Sequence, residues 1–473
     1  MQIATENERK YDVPADFALP TLAGAGRAAV HELDATYFDT DDLRLARNKR
    51  TLRRRTGGTD AGWHLKTPGD GTSRTEHRLP LTDDGEVPGD LVAEVRALVR
   101  DRELRPVARL RTRRVETPLV DDDGRTLALV AQDQVTAETG GAEQRWQEVE
   151  VELVDGGPEV LDSVERELRR AGAEPAAGPS KLARALGDRL AALKPAGTTE
   201  INPVLAYARE QRDAILAYDP GVREGGPEAV HKMRVATRRL RSTLRTFKRS
   251  FPPDLAEFLN GELRWLAGQL GEVRDGQVLE HKLLRAVDRE GPEFSEVAER
   301  IRAHLDAKIA AGRRALVRDL DGERYLRLLD AVDDLVGPDD RGEPKPRRRV
   351  RKALDKADRL LDEATLQGTD EPLHEARKAY KRARYAVEVF VASAGKPAEQ
   401  LTDRLTDLQD VLGSHQDSVV AREILHDLSR GDDNGFRYGI LWARQEQIGR
   451  DTLGNLPGAI RASRKRKLRR WLD

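Results

Sequence analysis

Up to about residue 155, hydrophobic and polar positions alternate with a period of two. Turn clusters divide these stretches: GGTDAG at 57–62, TPGDGT at 67–72 and VDDDGR at 120–125. The pattern predicts strands at 3–12, 34–40, 50–56, 62–67, 73–81, 105–118, 125–138 and 145–154, with helices near 88–99, 158–171 and 180–193. Eight strands suit a closed antiparallel barrel. After PAGTTEINPV at 195–204 the alternation disappears, and long stretches of period 3.6, rich in Ala, Leu, Arg and Glu, run to the end. This second half is expected to be all helical. The loop GPDDRGEPKP at 337–346 divides it into two parts, read as two four-helix bundles.

Those two parts look duplicated. HKMRVATRRLRSTLRTF at 231–247 aligns with HEARKAYKRARYAVEVF at 374–390, and LAGQLGEVRD at 266–275 aligns with LQDVLGSHQD at 408–417. The offsets are nearly equal and the motif order repeats, which favours an internal duplication over chance matches between Arg-rich helices. The expected organisation is a β domain over 1–195, a linker at 196–204 and a helical domain over 205–473, with halves at 205–336 and 347–473.

Composition narrows the chemistry. The 473 residues exceed what one core usually serves. Charged residues make up 35% and hydrophobic ones 38%, a polar but foldable mixture. With no Cys, disulfides, thiolate metal sites and cysteine nucleophiles are excluded, so metal ligands must be oxygens or imidazoles. MQIATENERKYDVP carries charges where a secretory signal needs an apolar run, and no run of 18 apolar residues occurs, so a cytoplasmic protein with no membrane partner is expected.

The net charge of −1 conceals strong local sorting. In the first predicted strand Glu6, Glu8 and Lys10 are spaced by two and share a face; in the last, Glu148, Glu150 and Glu152 share one, opposite Val149, Val151 and Leu153. Bases recur at the same spacing between them: Arg53 and Arg55, Lys66, Arg74 and Arg78 around Glu76, then Arg109, Arg111 and Arg113. A solvated charged face would show the same alternation. Sorting by sign favours a lumen, because closure would make the first and last strands neighbours and bring their carboxylates together. Clustered carboxylates need a cation, and hard divalent ions take oxygen ligands. The surrounding bases then need a polyanion, and Arg forks match phosphate oxygens.

ENERK at 6–10 resembles the E-x-E-x-K signature of the CYTH family, the triphosphate tunnel metalloenzymes. YFDTDDLRL at 37–45, TLRRR at 51–55, HLKTP at 64–68, RTEHR at 74–78, the Asp of AQDQV at 131–135 and EVEVEL at 148–153 follow in that family's order. The resemblance covers about residues 1–195. It implies an eight-stranded antiparallel tunnel that hydrolyses or cyclises triphosphates with Mg²⁺ or Mn²⁺. It also implies that Glu6 and Glu8, with Glu150 and either Glu148 or Glu152, hold metal. Lys10, Arg53, Arg55, Lys66, Arg74, Arg78, Arg111 and Arg113 would line the phosphate path, and Glu76, Asp133 and Lys181 match further family positions, so that Lys10, Lys66, Glu76, Asp133 and Lys181 form the implied catalytic set. His64 and His77 lie near these motifs and are read as strand-surface residues rather than bases.

In the helical half, His231, Arg234, Arg238, Arg241 and Arg245 form one helix stripe, and His374, Arg377, Lys381 and Arg384 repeat it. A single basic helix is usually a solvated face; two related by a pseudo-twofold could share a groove for an extended anion. The motif order, with LGEVRD and LGSHQD, resembles the CHAD family, the conserved-histidine α-helical domain, over about 205–473. That implies a module binding inorganic polyphosphate, and with it an association with polyphosphate granules. His415 has Val273 as its repeat counterpart, so the symmetry is incomplete. The runs KPRRRVRK at 345–352 and RKRKLRR at 464–470 either extend this surface or are solvated ends. Nucleic acid is the competing ligand, made less favoured by an aromatic content of only 4% with no stacking platform interleaved in the stripes. The expected activity is hydrolysis of inorganic triphosphate or a related triphosphate; the alternatives are a class IV type adenylate cyclase and a non-catalytic polyphosphate binder. The sequence does not specify an oligomeric state.

Overall fold

The computed structural model describes residues 1–69, 73–193, 202–337, 342 and 345–473. Most of the expected 196–204 linker, the end of the TPGDGT turn and most of the 337–346 loop lie outside the described residues. The chain divides into two compact units, Met1–Gly197 and Thr198–Asp473. Among the described residues, no helix is long and apolar enough to cross a membrane.

Among the described residues, the first unit is built on ten antiparallel strands. In chain order they are β1 (Gln2–Glu6), β2 (Glu8–Asp12), β3 (Ala29–Asp39), β4 (Thr51–Thr56), β5 (Gly62–Pro68), β6 (Arg74–Leu79), β7 (Arg105–Val120), β8 (Thr126–Thr139), β9 (Ala142–Leu153) and β10 (Glu174–Pro175). Five helices accompany them: α1 (Arg44–Arg47), α2 (Gly89–Val99), α3 (Pro158–Arg170), α4 (Lys181–Ala185) and α5 (Gly187–Ala192). The spatial order is β1-β6-β5-β4-β3-β7-β8-β9-β2-β10.

The expectation of eight strands closed into a barrel is therefore corrected: there are ten, and the ladder is not closed. The cause lies at Asn7. It splits the predicted first strand, so that β1 pairs with β6 at one edge while β2 pairs with β9 near the other. Leu153 N–H still bonds the Asn7 carbonyl at 3.0 Å. Because one residue separates β1 from β2, the sheet must curve until its two sides stand together there.

The outer face of the curve is covered. Val149 and Val151 are fully buried with Leu161, Val164 and Leu168 of α3 and with Tyr11 and Val130. On the inner face a second core places Leu182, Ala185 and Leu186 of α4 and its C-terminal end against Tyr37, Leu110 and Val135. At about 25 cal/mol per Å², such side chains each contribute roughly 2 kcal/mol. The alternation in β9 thus separates two buried environments: valines under α3, and glutamates turned inward.

The second unit is all helical. Its first half contains α6 (Pro203–Arg223), α7 (Pro227–Thr246), α8 (Pro253–Val287), α9 (Ser295–Asp321) and α10 (Glu323–Leu335). Its second half contains α11 (Pro346–Gln367), α12 (Asp370–Glu388), α13 (Val391–Ala394), α14 (Lys396–Ser429), α15 (Gly435–Gly454), α16 (Leu456–Ser463) and α17 (Arg466–Arg469). Proline occupies the first turn of α6, α7, α8, α11 and α14, where its missing N–H costs nothing. Neighbours repeat in the two halves: α6 on α7, α7 on α8 and α8 on α9 correspond to α11 on α12, α12 on α14 and α14 on α15.

The two halves are not separate four-helix bundles. Leu279, Leu283, Val297, Ile301 and Leu305, from the C-terminal end of α8 and the N-terminal part of α9, form one core with Ala421, Leu425, Tyr438 and Leu441 from α14 and α15. Helices of 35 and 34 residues, α8 and α14, are long enough to serve both their own half and this shared core.

Candidate functional site

Within the curved sheet a solvent-open cavity is lined by Glu6, Glu8, Lys10, Tyr37, Thr51, Arg53, Arg55, Asp60, Lys66, Arg74, Glu76, Arg78, Arg114, Glu150, Glu152, Ser180 and Lys181. Strand registry explains who faces it. Lys10 stands opposite Glu150 and Glu8 opposite Glu152 across β2 and β9; Lys66 stands opposite Glu76 across β5 and β6. Directly opposed residues share a face, so one choice of parity turns every one of these charges inward.

The cations are held by carboxylates. Lys66 Nζ donates to Glu6 Oε2 at 2.5 Å and lies 3.8 Å from Glu76 Oε1. Lys10 Nζ donates to Glu150 at 2.6 Å; burial opposes its charge, but Glu150 and Glu8 outweigh burial and raise its pKa. Arg78 pairs with Glu76 and reaches Glu6 at 3.4 Å. Arg53 donates to the Tyr37 hydroxyl at 3.3 Å, while Arg55 pairs with Asp60 and is pushed down to about 9 by burial and by Arg53 and Arg114. Arg74 reaches the Pro179 carbonyl at 2.5 Å. Glu76 stays far below the usual carboxylate range: burial opposes ionisation, and the His64 hydrogen bond with Lys66 and Arg53 more than offsets it.

Lys181 sits at the start of α4, whose N-cap Ser180 accepts from Ala183 N–H at 3.1 Å. Its ammonium lies 2.9 Å from Asp133, 2.6 Å from Glu148 and 2.7 Å from Glu150. Burial disfavours that charge, but the three carboxylates raise its pKa strongly. Asp133, Glu148 and Glu150 form a buried acidic cluster of the kind that could bind a metal.

A second carboxylate group is less fully compensated. Glu152 is pushed up to about 6 by burial and by Glu6, with Lys66 opposing and Glu8 and Glu150 adding to it, and it makes no ion pair within 4.0 Å among the described residues. Glu8 Oε1 is buried without accepting a hydrogen bond, its cation Lys10 lying 3.2 Å away. Like charges facing each other across a sheet are destabilising unless compensated. The set Glu6, Glu8 and Glu152 therefore fits a hard cation.

Two sequence expectations fail here. Arg111 and Arg113 lie on the outer face, about half exposed, paired with Glu138 and Glu32. Arg109 joins Asp34 in the same outer row. The inward parity of β7 runs Leu110, Thr112, Arg114 instead, as their pairing with Ala35, Leu33 and His31 requires. Arg114 clamps Asp133 through two bonds of 2.8 and 2.7 Å and reaches Glu150 at 2.7 Å. The sequence reading missed it; the signal was the even frame, where apolar Leu110 marks the buried side. Secondly, His64 and His77 are not surface residues: both are buried. The Nδ1 of His64 lies 3.0 Å from Glu76 and its Nε2 2.9 Å from the Asp60 carbonyl. Two acceptors would suit a doubly protonated ring, yet burial pushes its pKa down to about 4, with Arg53 and Arg55 adding to it and only Glu76 opposing.

The YFDTDDLRL segment acts locally. Asp39, fully buried, accepts from the backbone N–H groups of Thr40, Leu45 and Ala46 at 2.7, 2.8 and 2.9 Å, fixing the turn into α1.

In the helical unit the two stripes converge. α7 packs on α12. Lys381 is pushed down to about 7 by burial and by Arg238, Arg377, Arg234 and Arg384. Arg238 is lowered by burial, with Arg234 and Arg377 also facing it. Arg241 is lowered by burial and by Arg245, Arg264, Arg238 and Arg382. The cationic row thus continues through Arg245 to Arg382, a residue outside the predicted stripe. Arg234 pairs with Asp275 at 3.0 Å, and Arg384 reaches Gln409 at 3.2 Å and Glu388 at 3.1 Å. The Leu-Gly motifs lie against these guanidinium groups: a Cβ at Gly271 would be 3.6 Å from that of Arg234 and one at Gly413 3.5 Å from that of Arg377, ordinary van der Waals contact in each case.

The histidines differ. His231 is lowered by burial and by Arg274, whereas His374 Nδ1 bonds Gln416 at 2.8 Å. His415 is buried, 2.9 Å from Asp370 at the start of α12, while its counterpart Val273 is simply core.

Comparison with known proteins agrees with this division. The CYTH domain model matches residues 4–186 and the CHAD domain model residues 206–426. An uncharacterized protein of Mycobacterium tuberculosis (strain CDC 1551 / Oshkosh) is 38% identical over 497 residues, covering 96% of both chains. Among solved structures, PptA from Streptomyces chartreusis is 20% identical, covering 55% of this chain and 98% of its own, with a TM-score of 0.47. The CHAD domain from the plant Ricinus communis is 26% identical, covering 55% and 91%, with a TM-score of 0.44. With both domain models matched in this order, and a relative aligned along nearly its whole length, the chain belongs to the family of proteins in which a CYTH domain is followed by a CHAD domain.

Proposed function

We propose that the first unit is a metal-dependent triphosphatase acting on inorganic triphosphate or a related triphosphate, and that the helical unit binds inorganic polyphosphate. CYTH domains are metal-dependent and are associated with triphosphatase and cyclase activity. The observation that carries the reading is the balance inside the cavity. Among the described residues, eight Lys and Arg side chains line it against six carboxylates, and Glu8 and Glu152 face each other with no ion pair to Glu152. Such a cavity is complementary to a polyanion together with a hard divalent cation.

In this reading Glu6, Glu8 and Glu152 hold Mg²⁺ or Mn²⁺, which supplies charge neutralisation at the phosphate oxygens and a polarised water. Lys10, Lys66, Arg53, Arg78 and Arg114 orient the phosphates, and Arg55 and Arg74 extend the path. Arg114 and Lys181, fixed by Asp133 and Glu150, form a rigid wall, so that little reorganises as charge develops on the leaving phosphate. Glu76 sets the positions of Lys66, Arg78 and His64. No covalent nucleophile is required.

The test is a substrate panel on the purified protein: inorganic triphosphate, ATP, thiamine triphosphate and long-chain polyphosphate, with Mg²⁺ or Mn²⁺. Phosphate release that is lost in Glu6→Ala is expected. Cyclic nucleotide formation from ATP would replace the hydrolase reading with a cyclase, and inactivity on every substrate would end it.

A further inference from the structure

The two basic runs at 345–352 and 464–470 are far apart in sequence yet meet in the fold. Arg347 bonds the Trp471 carbonyl at 3.2 Å and stacks 5.9 Å from its ring; Arg351 pairs with Asp473. Between and around these contacts Lys345, Arg348, Lys352, Lys465, Arg466, Lys467 and Arg470 are exposed, and none pairs with a carboxylate among the described residues. Elsewhere in the unit, exposed bases such as Arg324, Arg300 and Arg444 are paired with acids. Exposed bases without an ion pair among the described residues also occur elsewhere in the unit, Arg285, Arg289 and Arg314 for example, but here two runs distant in sequence bring seven of them together.

This patch adjoins the end of the α7/α12 groove. Phe247, which ends α7, meets Phe390 edge-on at 6.1 Å, Phe390 meets Trp471 at a tilt at 6.0 Å, and Trp471 carries Arg347. Arg245 and Arg382 stand at the same end of the groove as the aromatic ladder. From Arg234 to Arg245 the groove is about 17 Å long at 1.5 Å per residue. Phe247 and Phe390 are buried, so the ladder fixes the C-terminal segment against the end of the groove.

Resting on the reading that the groove takes polyphosphate, we propose that the C-terminal patch is the second part of one polyanion track, occupied only by chains long enough to overrun the groove. Its uncompensated cations match a linear polyanion that carries charge along its whole length, and counterion release makes each contact legible as salt dependence. A globular partner would need apolar anchors, and the exposed side chains here are almost all bases.

The experiment uses the full chain with a chelator present, so that no phosphate is cleaved. Binding of a short oligophosphate cut to the length of the groove and of long-chain polyphosphate is measured over a range of salt. Replacing Lys465, Arg466 and Lys467 by Ser is expected to leave the short ligand unaffected. It should weaken the long one about tenfold and flatten its log K against log salt slope by about 2, at roughly 0.7 per lost contact. Arg348→Ser with Lys352→Ser, on a different helix, is likewise expected to spare the short ligand and weaken the long one, with the slope flattened by about 1.4 for its two lost contacts. Unchanged long-chain affinity and slope in both variants, with Arg234→Ala and Arg377→Ala weakening both ligands, would overturn the extended track while leaving the groove. No binding of either ligand by the wild type would overturn the groove reading and the track with it. Tighter binding of duplex DNA than of polyphosphate at matched salt, lost in the same variants, would overturn the track by giving the patch to nucleic acid.

Discussion

Lys381 offers a quantitative handle on the helical groove. Burial lowers its pKa to about 7, and Arg234 and Arg238 from α7 with Arg377 and Arg384 from its own helix act in the same direction. The causes are desolvation and like charge, and a phosphate chain lying on the row supplies the missing opposite charge. Bound, Lys381 should be fully protonated; free, at pH 8, it retains about 0.1 of a proton. Ligand binding is therefore expected to take up about 0.9 proton at pH 8 and only about 0.1 at pH 6. Calorimetric titration of long-chain polyphosphate in buffers of different ionisation enthalpy reads this number directly. Lys381→Met should abolish the uptake at pH 8 while leaving a groove that still binds. Uptake near zero at pH 8 in the wild type, or equal uptake in Lys381→Met, would refute the reasoning. The sign for stability is fixed too: between about pH 7 and 10.5 the unfolded chain holds this proton more tightly than the native one. Stability of the ligand-free protein should therefore rise with pH across that window.

Other outcomes follow from the same geometry. Arg114→Met strands fully buried Asp133 with Lys181 alone and should cost about 3 kcal/mol in urea unfolding as well as phosphate release, whereas Arg111→Ala and Arg113→Ala should stay within about 0.5 kcal/mol and keep kcat/KM. Glu388→Ala leaves Arg239, Arg384 and the Tyr207 hydroxyl without their shared acceptor, and a loss of about 3 kcal/mol is expected by denaturant titration. Mn²⁺ or Mg²⁺ should raise the Tm of the wild type and not that of Glu8→Gln with Glu152→Gln, since a ligand stabilises only a state that binds it.

Much of this architecture was readable from side-chain periodicity. The strand segments, the change to helix after residue 195 and the repeated stripes all follow from which residues recur at two or at 3.6. The limits were also physical. Asn7 sits in an unbroken alternation, and only the partners on either side, β6 and β9, reveal the break. In RLRTRRVE both parities of β7 carry arginine, so counting bases pointed to Arg111 and Arg113, while the buried Leu110 and Thr112 decide for Arg114. Burial of His64 depends on the opposing Arg53 and Arg78 and on the turn at Asp60, none of which spacing conveys. The shared core of α8, α9, α14 and α15 was hidden because apolar positions on a long helix record that a face is covered, not by which half.

The hand-over at Asn7 also bears on how this half of the chain assembles during synthesis. Residues 8–12 leave the ribosome long before their partner, residues 142–153, exists, and β1 must wait for β6. Loop closure over so many residues makes such pairings slow. Until both strands dock, Glu6 and Glu8 are missing from the cavity. Under the proposed function, gain of metal affinity would report the moment at which Glu6 and Glu8 reach the cavity.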